Sequence, residues 1–283
     1  MRSEAIKLLA FRREINDRLA LTEDENTENT SLVLAAHALK KTKTWILAHG
    51  DYQLQDQEIS TLQNYMTQYL QGVPLPYILG SWAFFNRSFK VTPDVLIPRP
   101  ETELLVEKAI AFGQDKDSLT IVDVGTGSGI IAISLAASLS HASVYALDIS
   151  SAALAVAKEN AGFHQQNRIK FVRSDLLSPF RGGFDLICAN LPYIPSQKME
   201  KLPVTKWEPR LALDGGASGL ESIKKLLFQA KSRLSSRACI LLEIESSLGK
   251  QALEIAQITF PCAKHHLIQD LAGHDRVLQI LLP

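Results

Sequence analysis

Asp123-Val124-Gly125-Thr126-Gly127-Ser128-Gly129 follows the apolar run Leu119 to Val122 and leads into Ile130-Ile131-Ala132-Ile133-Ser134-Leu135-Ala136. A β-rich run, a glycine turn and an apolar segment of helical length predict strand, loop and helix at the start of a doubly wound α/β sheet. Glycine at 125, 127 and 129 permits positive φ and removes the Cβ atoms that would keep a ligand away from the N–H groups of the helix N-terminus. Asp148 ends the next apolar run, Ser143 to Leu147, about where such folds place a carboxylate for ribose hydroxyls. The turn is therefore expected to form a cofactor pocket.

Dinucleotide folds use G-x-G-x-x-G, whereas the spacing here is G-x-G-x-G with Asp123 in front. A carboxylate at the mouth of the turn repels a pyrophosphate but suits a zwitterionic amino-acid tail carrying an ammonium group. The pattern resembles the first motif of class I S-adenosylmethionine-dependent methyltransferases. A nicotinamide or flavin site and a purely structural turn are the competing readings.

The chain has 283 residues, enough for one large domain and a smaller one. Thirty basic and thirty acidic side chains give a formal net charge of +0, so no global basic field steers it onto nucleic acid. No apolar run approaches the ~20 residues of a membrane span, and Met1 to Ala5 lacks the apolar core and cleavage site of a secretory signal. Cys188, Cys239 and Cys262 are odd in number and lack metal-ligand spacing, which fits a reducing cytoplasmic setting with each as a small buried apolar residue and no bound metal.

Residues 1–73 read as a helical domain. Leu8, Phe11, Ile15 and Leu19 recur at helical spacing, as do Leu32, Ala35, Ala36 and Leu39, and then Ile59, Leu62, Met66, Tyr69 and Leu70. The polar stretch Thr22 to Asn29 connects the first two. Arg2, Lys7, Arg12, Arg13 and Arg18 form either a solvated helix face or a docking face for a partner. Residues 74–98 read as a linker, opened by Gly72 to Pro76 and containing a β-hairpin that turns near Asn86-Arg87 and bridges the domains.

Residues 99–283 read as the sheet domain. In Ile97-Pro98-Arg99-Pro100-Glu101-Thr102-Glu103, two prolines hold Arg99 extended and Pro100 suits the first turn of a helix. That stretch is either a stiff helix start or one wall of the pocket. Strands are expected at 119–124, 143–148, 169–172, 184–189, 238–244, 265–269 and 276–282, with helices from about 128, 151, 219 and 247. Such alternation predicts a mostly parallel sheet with helices on both faces, closed by an antiparallel pair.

Asn190-Leu191-Pro192-Tyr193 follows the buried strand Phe184 to Ala189, at the edge where open α/β sheets hold ligands. An amide or aniline-like nitrogen is a poor nucleophile because its lone pair is delocalised. If the Asn190 side-chain oxygen accepts one N–H of an –NH2 group and the Leu191 carbonyl accepts the other, the nitrogen gains electron density and its lone pair is aimed at the methyl group. Pro192 restricts the backbone and Tyr193 offers a ring face, so catalysis rests on orientation and preorganised dipoles. A turn with an asparagine cap and a core tyrosine is the bland alternative. Asp175 ends another strand and is expected to hydrogen-bond an adenine amino group, with Leu176 against the ring; a helix cap is its competing role.

At these residues the chain resembles the family of protein-(glutamine-N5) methyltransferases that modify peptide chain release factors. The resemblance is carried by Ile97 to Glu103, Asp123 to Gly129 and Asn190 to Pro195. It extends to Pro74-Leu75-Pro76-Tyr77-Ile78-Leu79-Gly80, Trp207-Glu208-Pro209-Arg210-Leu211-Ala212-Leu213 and Asp270-Leu271-Ala272-Gly273-His274-Asp275-Arg276. It implies a seven-stranded class I methyltransferase sheet with a small N-terminal helical domain that docks the release factor. It further implies that Gly125, Thr126, Gly127, Ser128, Gly129, Asp148 and Asn190 touch S-adenosyl-L-methionine, while Asn190, Leu191, Pro192 and Tyr193 hold the glutamine of a Gly-Gly-Gln loop. The family's tetrad is Asn-Pro-Pro-Tyr; Leu191 replaces its first proline, which keeps the backbone carbonyl but alters loop stiffness and the adjacent pocket. A ribosomal-protein glutamine, an adenine in nucleic acid, and a non-catalytic adaptor role are the alternatives.

Overall fold

A computed structural model describes residues 6–20 and 27–283, which form two compact units, 1–80 and 81–283. Arg2 and residues 22–26 of the acidic connection lie outside the described residues.

The first unit is helical: α1 (Leu8–Leu19), α2 (Thr27–Leu39), α3 (Lys43–Ala48), α4 (Asp56–Leu70) and α5 (Leu75–Leu79). Leu8, Phe11, Ile15 and Leu19 bury one stripe of α1 against Ala35, Leu39, Leu62 and Met66, as the periodicity predicts. Two short helices were not anticipated. α3 starts because Thr42 Oγ1 accepts the Trp45 N–H at 3.1 Å, and α5 has Pro76 in its first turn and ends on Gly80 at φ +67°. Of the cationic side chains on and before α1, Lys7, Arg13 and Arg18 are exposed and Arg12 is half-buried.

The second unit opens with a hairpin, β1 (Ser81–Phe84) and β2 (Arg87–Lys90), paired antiparallel with Phe84 opposite Arg87. Phe85 and Asn86, at φ +46° and +58°, form the two-residue turn whose twist matches the flanking strands. There follow α6 (Thr102–Gly113), β3 (Leu119–Val124), α7 (Ile130–Ser138), β4 (Ala142–Asp148), α8 (Ser151–Phe163), β5 (Lys170–Arg173) and β6 (Phe184–Ala189). The chain continues through α9 (Ser196–Met199), α10 (Arg210–Leu213), α11 (Glu221–Ala230), β7 (Leu234–Glu243), α12 (Gly249–Thr259), β8 (Lys264–Gln269) and β9 (Asp275–Leu281). α6 begins two residues after Pro100, because Thr102 and Glu103 N–H groups first close turns onto Arg99 and Pro100.

Among the described residues the main sheet has seven strands in the order β5-β4-β3-β6-β7-β9-β8. The first five run parallel, and β9 pairs antiparallel with both β7 and β8. Residues alternate between faces: Ile121, Val144, Leu186 and Cys239 pack toward α6 and α7, whereas Val122, Leu147, Ile187 and Ile240 pack toward α11 and α12. Cys188 and Cys239 are buried as expected, but Cys262 is exposed, because it lies in the turn between α12 and β8 rather than on an inward face. No described helix is long and apolar enough to cross a membrane.

Candidate active site

The chain winds from β3 outward through β4 to β5, then returns to place β6 on the other side of β3. That reversal is the switch point at which open α/β sheets carry ligands. Val124 pairs with Ala189, so the glycine turn after β3 and the tetrad after β6 leave the sheet side by side. Between them and the segment from Asp94 to Arg99 lies a cleft of about 540 Å³.

The turn is held from beneath. Gly125 and Thr126 N–H groups donate to the Leu147 carbonyl at 2.9 and 2.8 Å, tying the turn to the end of β4. Gly125, Gly127 and Gly129 all have positive φ. Asp123 is fully buried; its Oδ2 accepts the Thr126 hydroxyl at 2.6 Å and the Ala132 N–H at 3.1 Å. The expectation that this carboxylate meets a ligand's ammonium at the mouth is therefore corrected. Asp123 lies behind the turn and clamps it to α7, and burial pushes its carboxyl up to about 7. On the far side, Asn160 of α8 donates to the Ser128 carbonyl at 2.8 Å and the Lys90 carbonyl at 3.0 Å, coupling the turn to the hairpin.

Asp148 ends β4 with one oxygen on the Gly127 N–H and the other on the Ser150 N–H, both at 2.9 Å. Burial raises its pKa and these backbone donors oppose the rise. Gly125 to Ser128, Asp148, Asp175, Leu176, Asn190, Leu191 and Pro192 all line the cleft. Gly129 and Tyr193 do not. Gly129 faces inward, where a Cβ would stand 2.9 Å from Ile133 Cδ1 and 3.2 Å from Ala157 Cβ, so its role is to seat α7 on α8. Tyr193 sits in the field of Glu243, Arg99, Arg276 and Glu101, and burial raises its phenol pKa. Asp175 is engaged by Lys225 at 2.5 Å, an ion pair at the cleft wall between residues 50 positions apart in the chain.

The tetrad has a support that sequence reading missed. Thr102, the first residue of α6, accepts a hydrogen bond from Asn190 Nδ2 at 3.2 Å. Leu191 is buried, and its Cδ2 lies 3.1 Å from where a Cβ on Gly125 would stand, so the residue that replaces proline packs directly against the glycine turn. Behind Pro192 and Tyr193 runs the loop Asp214-Gly215-Gly216-Ala217-Ser218-Gly219. A Cβ on Gly215 would stand 2.7 Å from the Pro192 oxygen, and one on Gly219 2.3 Å from the Tyr193 oxygen. Gly215 N–H donates to the Ile194 carbonyl, and Ser196 Oγ donates to Asp214 at 2.6 Å. Three glycines within five residues were the available signal.

The Pro98-Arg99-Pro100 stretch serves as both helix start and cleft wall. Leu96 to Arg99 and Thr102 line the cleft, and Arg99 pairs with buried Glu208, which also accepts the Ile97 N–H at 3.2 Å.

Residues 101–206 match the family model described as Methyltransferase small domain, and residues 11–80 match the PrmC N-terminal domain. A release factor glutamine methyltransferase of Moorella thermoacetica is 39% identical over 262 residues, spanning 92% of this chain and 93% of that protein. A release factor glutamine methyltransferase of Lactococcus lactis is 41% identical over 227 residues, spanning 80% and 83%. Among solved structures, a methyltransferase from Pyrococcus furiosus aligns at a TM-score of 0.52 and 16% identity, covering 77% of this chain and 98% of that one, a likeness of fold alone.

Proposed function

The chain belongs to the family of release factor glutamine methyltransferases, and from that premise we propose that it methylates the side-chain amide nitrogen (N5) of the glutamine in the Gly-Gly-Gln motif of peptide chain release factors, using S-adenosyl-L-methionine. The observation that carries this reading is the register of Val124 on Ala189, which brings the glycine turn and Asn190 to one cleft.

The residues present suit that cofactor. The glycine turn packed against Leu191, the partly buried carboxylate of Asp148, and the apolar side chains of Ile130, Ile149 and Leu176, all lining the cleft, would hold its charged tail, ribose and ring. When bound, S-adenosyl-L-methionine supplies an electrophilic methyl group on a sulfonium centre. The protein's own part is orientation. With Asn190 Nδ2 committed to Thr102, its Oδ1 is left to accept one N–H of the substrate amide, and the Leu191 carbonyl accepts the second. Two acceptors fix the plane of the carboxamide and draw electron density onto its nitrogen. No strong base is required, since the nitrogen becomes acidic on methylation and loses its proton to solvent. Tyr193 is neutral at working pH, and burial pushes its phenol further above the ordinary value.

The helical unit would dock the release factor, and the reaction would belong to the cytoplasmic machinery of translation termination. Incubating the protein with S-adenosyl-L-methionine and unmethylated release factor should add one methyl group to that glutamine by peptide mass spectrometry. Parallel assays on ribosomal protein and duplex DNA should give none. Absence of the gain on release factor, with a gain on either of the others, would replace this substrate.

A further inference from the structure

Glu243 closes β7 beside the tetrad, and the proposed reaction leaves it without a task. Ala189 pairs with Leu242, so Asn190 and Glu243 emerge next to each other from adjacent parallel strands. Glu243 is only 4% exposed and is absent from the cleft lining, so it does not touch a bound molecule. Its Oε2 is buried without a hydrogen-bond partner beside the side chains of Thr102 and Asn190, while Thr102 Oγ1 accepts from Asn190 Nδ2 at 3.2 Å. A carboxylate can only accept. The Thr102 hydroxyl, whose lone pair takes Asn190 Nδ2, keeps its single proton for that unpaired carboxylate oxygen. Its bonded partner Thr102 and the neighbouring Glu243 carboxylate both favour the NH2 end of Asn190 on this side.

We propose that Glu243 is a positioning residue for methyl transfer: through Thr102, it fixes the Asn190 carboxamide with nitrogen inward and oxygen toward the cleft. This inference rests on the reading of Asn190 Oδ1 as an acceptor for the substrate amide. A carboxamide is nearly symmetric in shape, so packing alone does not choose between its two orientations, and only a neighbour of fixed hydrogen-bonding sense does. The flipped form would point a donor at the N–H groups of the substrate and repel them.

The ionisation of Glu243 sets that sense. Protonated, Glu243 can donate, Thr102 can reverse, and the flipped form of Asn190 becomes acceptable. The charged and titratable groups facing it are Glu101 at the start of α6, Arg276 on β9 and Tyr193 after β6. Burial and Glu101 favour the neutral form, Thr102, Arg276 and Asn190 favour the charged one, and the outcome is a carboxyl pushed up to about 7. The site would therefore lose its sense on mild acidification.

The test compares wild type with Glu243→Gln and Thr102→Val in two measurements. The first needs no substrate: the side-chain NH2 resonances of Asn190, assigned with Asn190→Asp, are followed by 15N NMR from pH 5.5 to 8.5. They should titrate in wild type and stay fixed in Glu243→Gln. The second is methylation of release factor, where Glu243→Gln should lower kcat about tenfold at pH 8 with KM and cofactor affinity within about twofold, and should lack the acid limb of the wild-type profile. Thr102→Val, which keeps Glu243 but breaks the relay, should lower kcat several-fold and answers the question if the Gln variant fails to fold. Identical titration of the Asn190 resonances in wild type and Glu243→Gln would overturn the proposal. So would unchanged kcat and pH profile in both variants. Wild type that fails to methylate release factor while its Asn190 resonances still track Glu243 would instead discard the substrate reading and leave the positioning role standing.

Discussion

Arg99 and Glu208, 109 residues apart in the chain, form an ion pair in which the carboxylate is 2% exposed at its side chain and the guanidinium 37%. Glu208 also accepts the Ile97 N–H. One buried carboxylate thus holds both the start of the cleft wall and the segment Trp207 to Arg210, two stretches that read as separate motifs in the sequence.

Replacing Arg99 by Ala leaves Glu208 buried with a backbone partner only. The loss should be about 2 kcal/mol, below the ~3–5 kcal/mol of a fully enclosed pair because Arg99 is partly solvated. Glu208→Gln keeps an acceptor for Ile97 and should cost less than Arg99→Ala. Urea unfolding of the three proteins tests the order; an Arg99→Ala variant as stable as wild type would make the pair a surface ornament.

The glycines of the turn should not be equivalent. At Gly127 a Cβ meets nothing within 4 Å, so Gly127→Ala carries only the strain of φ +54°, roughly 1–2 kcal/mol. Gly129→Ala adds overlap with Ile133 and with Ala157 in the α7–α8 seam and should be the most destabilising. Gly125→Ala presses on Leu191, whose flexible Cδ2 can yield, and its main effect should be weaker cofactor binding rather than unfolding. Thermal melts combined with calorimetric titration of S-adenosyl-L-methionine separate the three; equal melting temperatures for Gly127→Ala and Gly129→Ala would contradict the assignment of Gly129 to the seam.

Much of this architecture was legible because it is written in local periodicity. The β-rich run of β3, the glycine turn and the buried strand that ends just before Asn190 together announce a central parallel strand and its ligand edge. What escaped was pairwise and distant. Nothing near Glu243 says that Thr102 and Asn190 will meet it, and nothing in Arg99 points to Glu208. Asp123 was misdirected for the same reason: whether a carboxylate beside a turn faces outward or inward depends on a helix packed beneath it. α3 and α5 are too short to show a hydrophobic period, and each exists through its capping residues instead.

The loop behind the tetrad gives a sharper prediction. At Gly219 a Cβ would stand 2.3 Å from the Tyr193 carbonyl oxygen, and the residue also sits at φ +83°. Backbone cannot move aside as a side-chain tip can, so Gly219→Ala must push Tyr193, and with it Asn190 and Leu191, out of register. Methylation should fall by at least about a hundredfold, the scale expected when a positioned group shifts by an ångström. Cofactor binding, built on β3 and β4, should change far less. A variant with normal kcat would show that the loop, rather than the tetrad, gives way.

Stability should also decline as pH rises toward neutrality, for a reason set by the turn. Asp123 is ordinarily ionised above pH 4, yet in the folded protein burial pushes it up to about 7. Between those values the native state binds a proton that the unfolded chain has released, so unfolding becomes easier with each step up in pH and levels off above about 7. Glu243, raised to a similar value, adds in the same direction. In Asp123→Asn the side-chain oxygen still accepts from Thr126 and Ala132, while the amide nitrogen occupies the place of Oδ1, which has no partner. Neutral Asp and Asn are thus near equals, and the variant should match wild type at pH 5 but exceed it at pH 8. The slope of unfolding free energy between pH 5 and 7 should fall by up to about 1.4 kcal/mol per pH unit, the contribution of one proton, leaving the part due to Glu243. Urea denaturation at half-unit pH steps measures this directly, and parallel stability curves for the two proteins would mean that Asp123 stays charged beneath the turn.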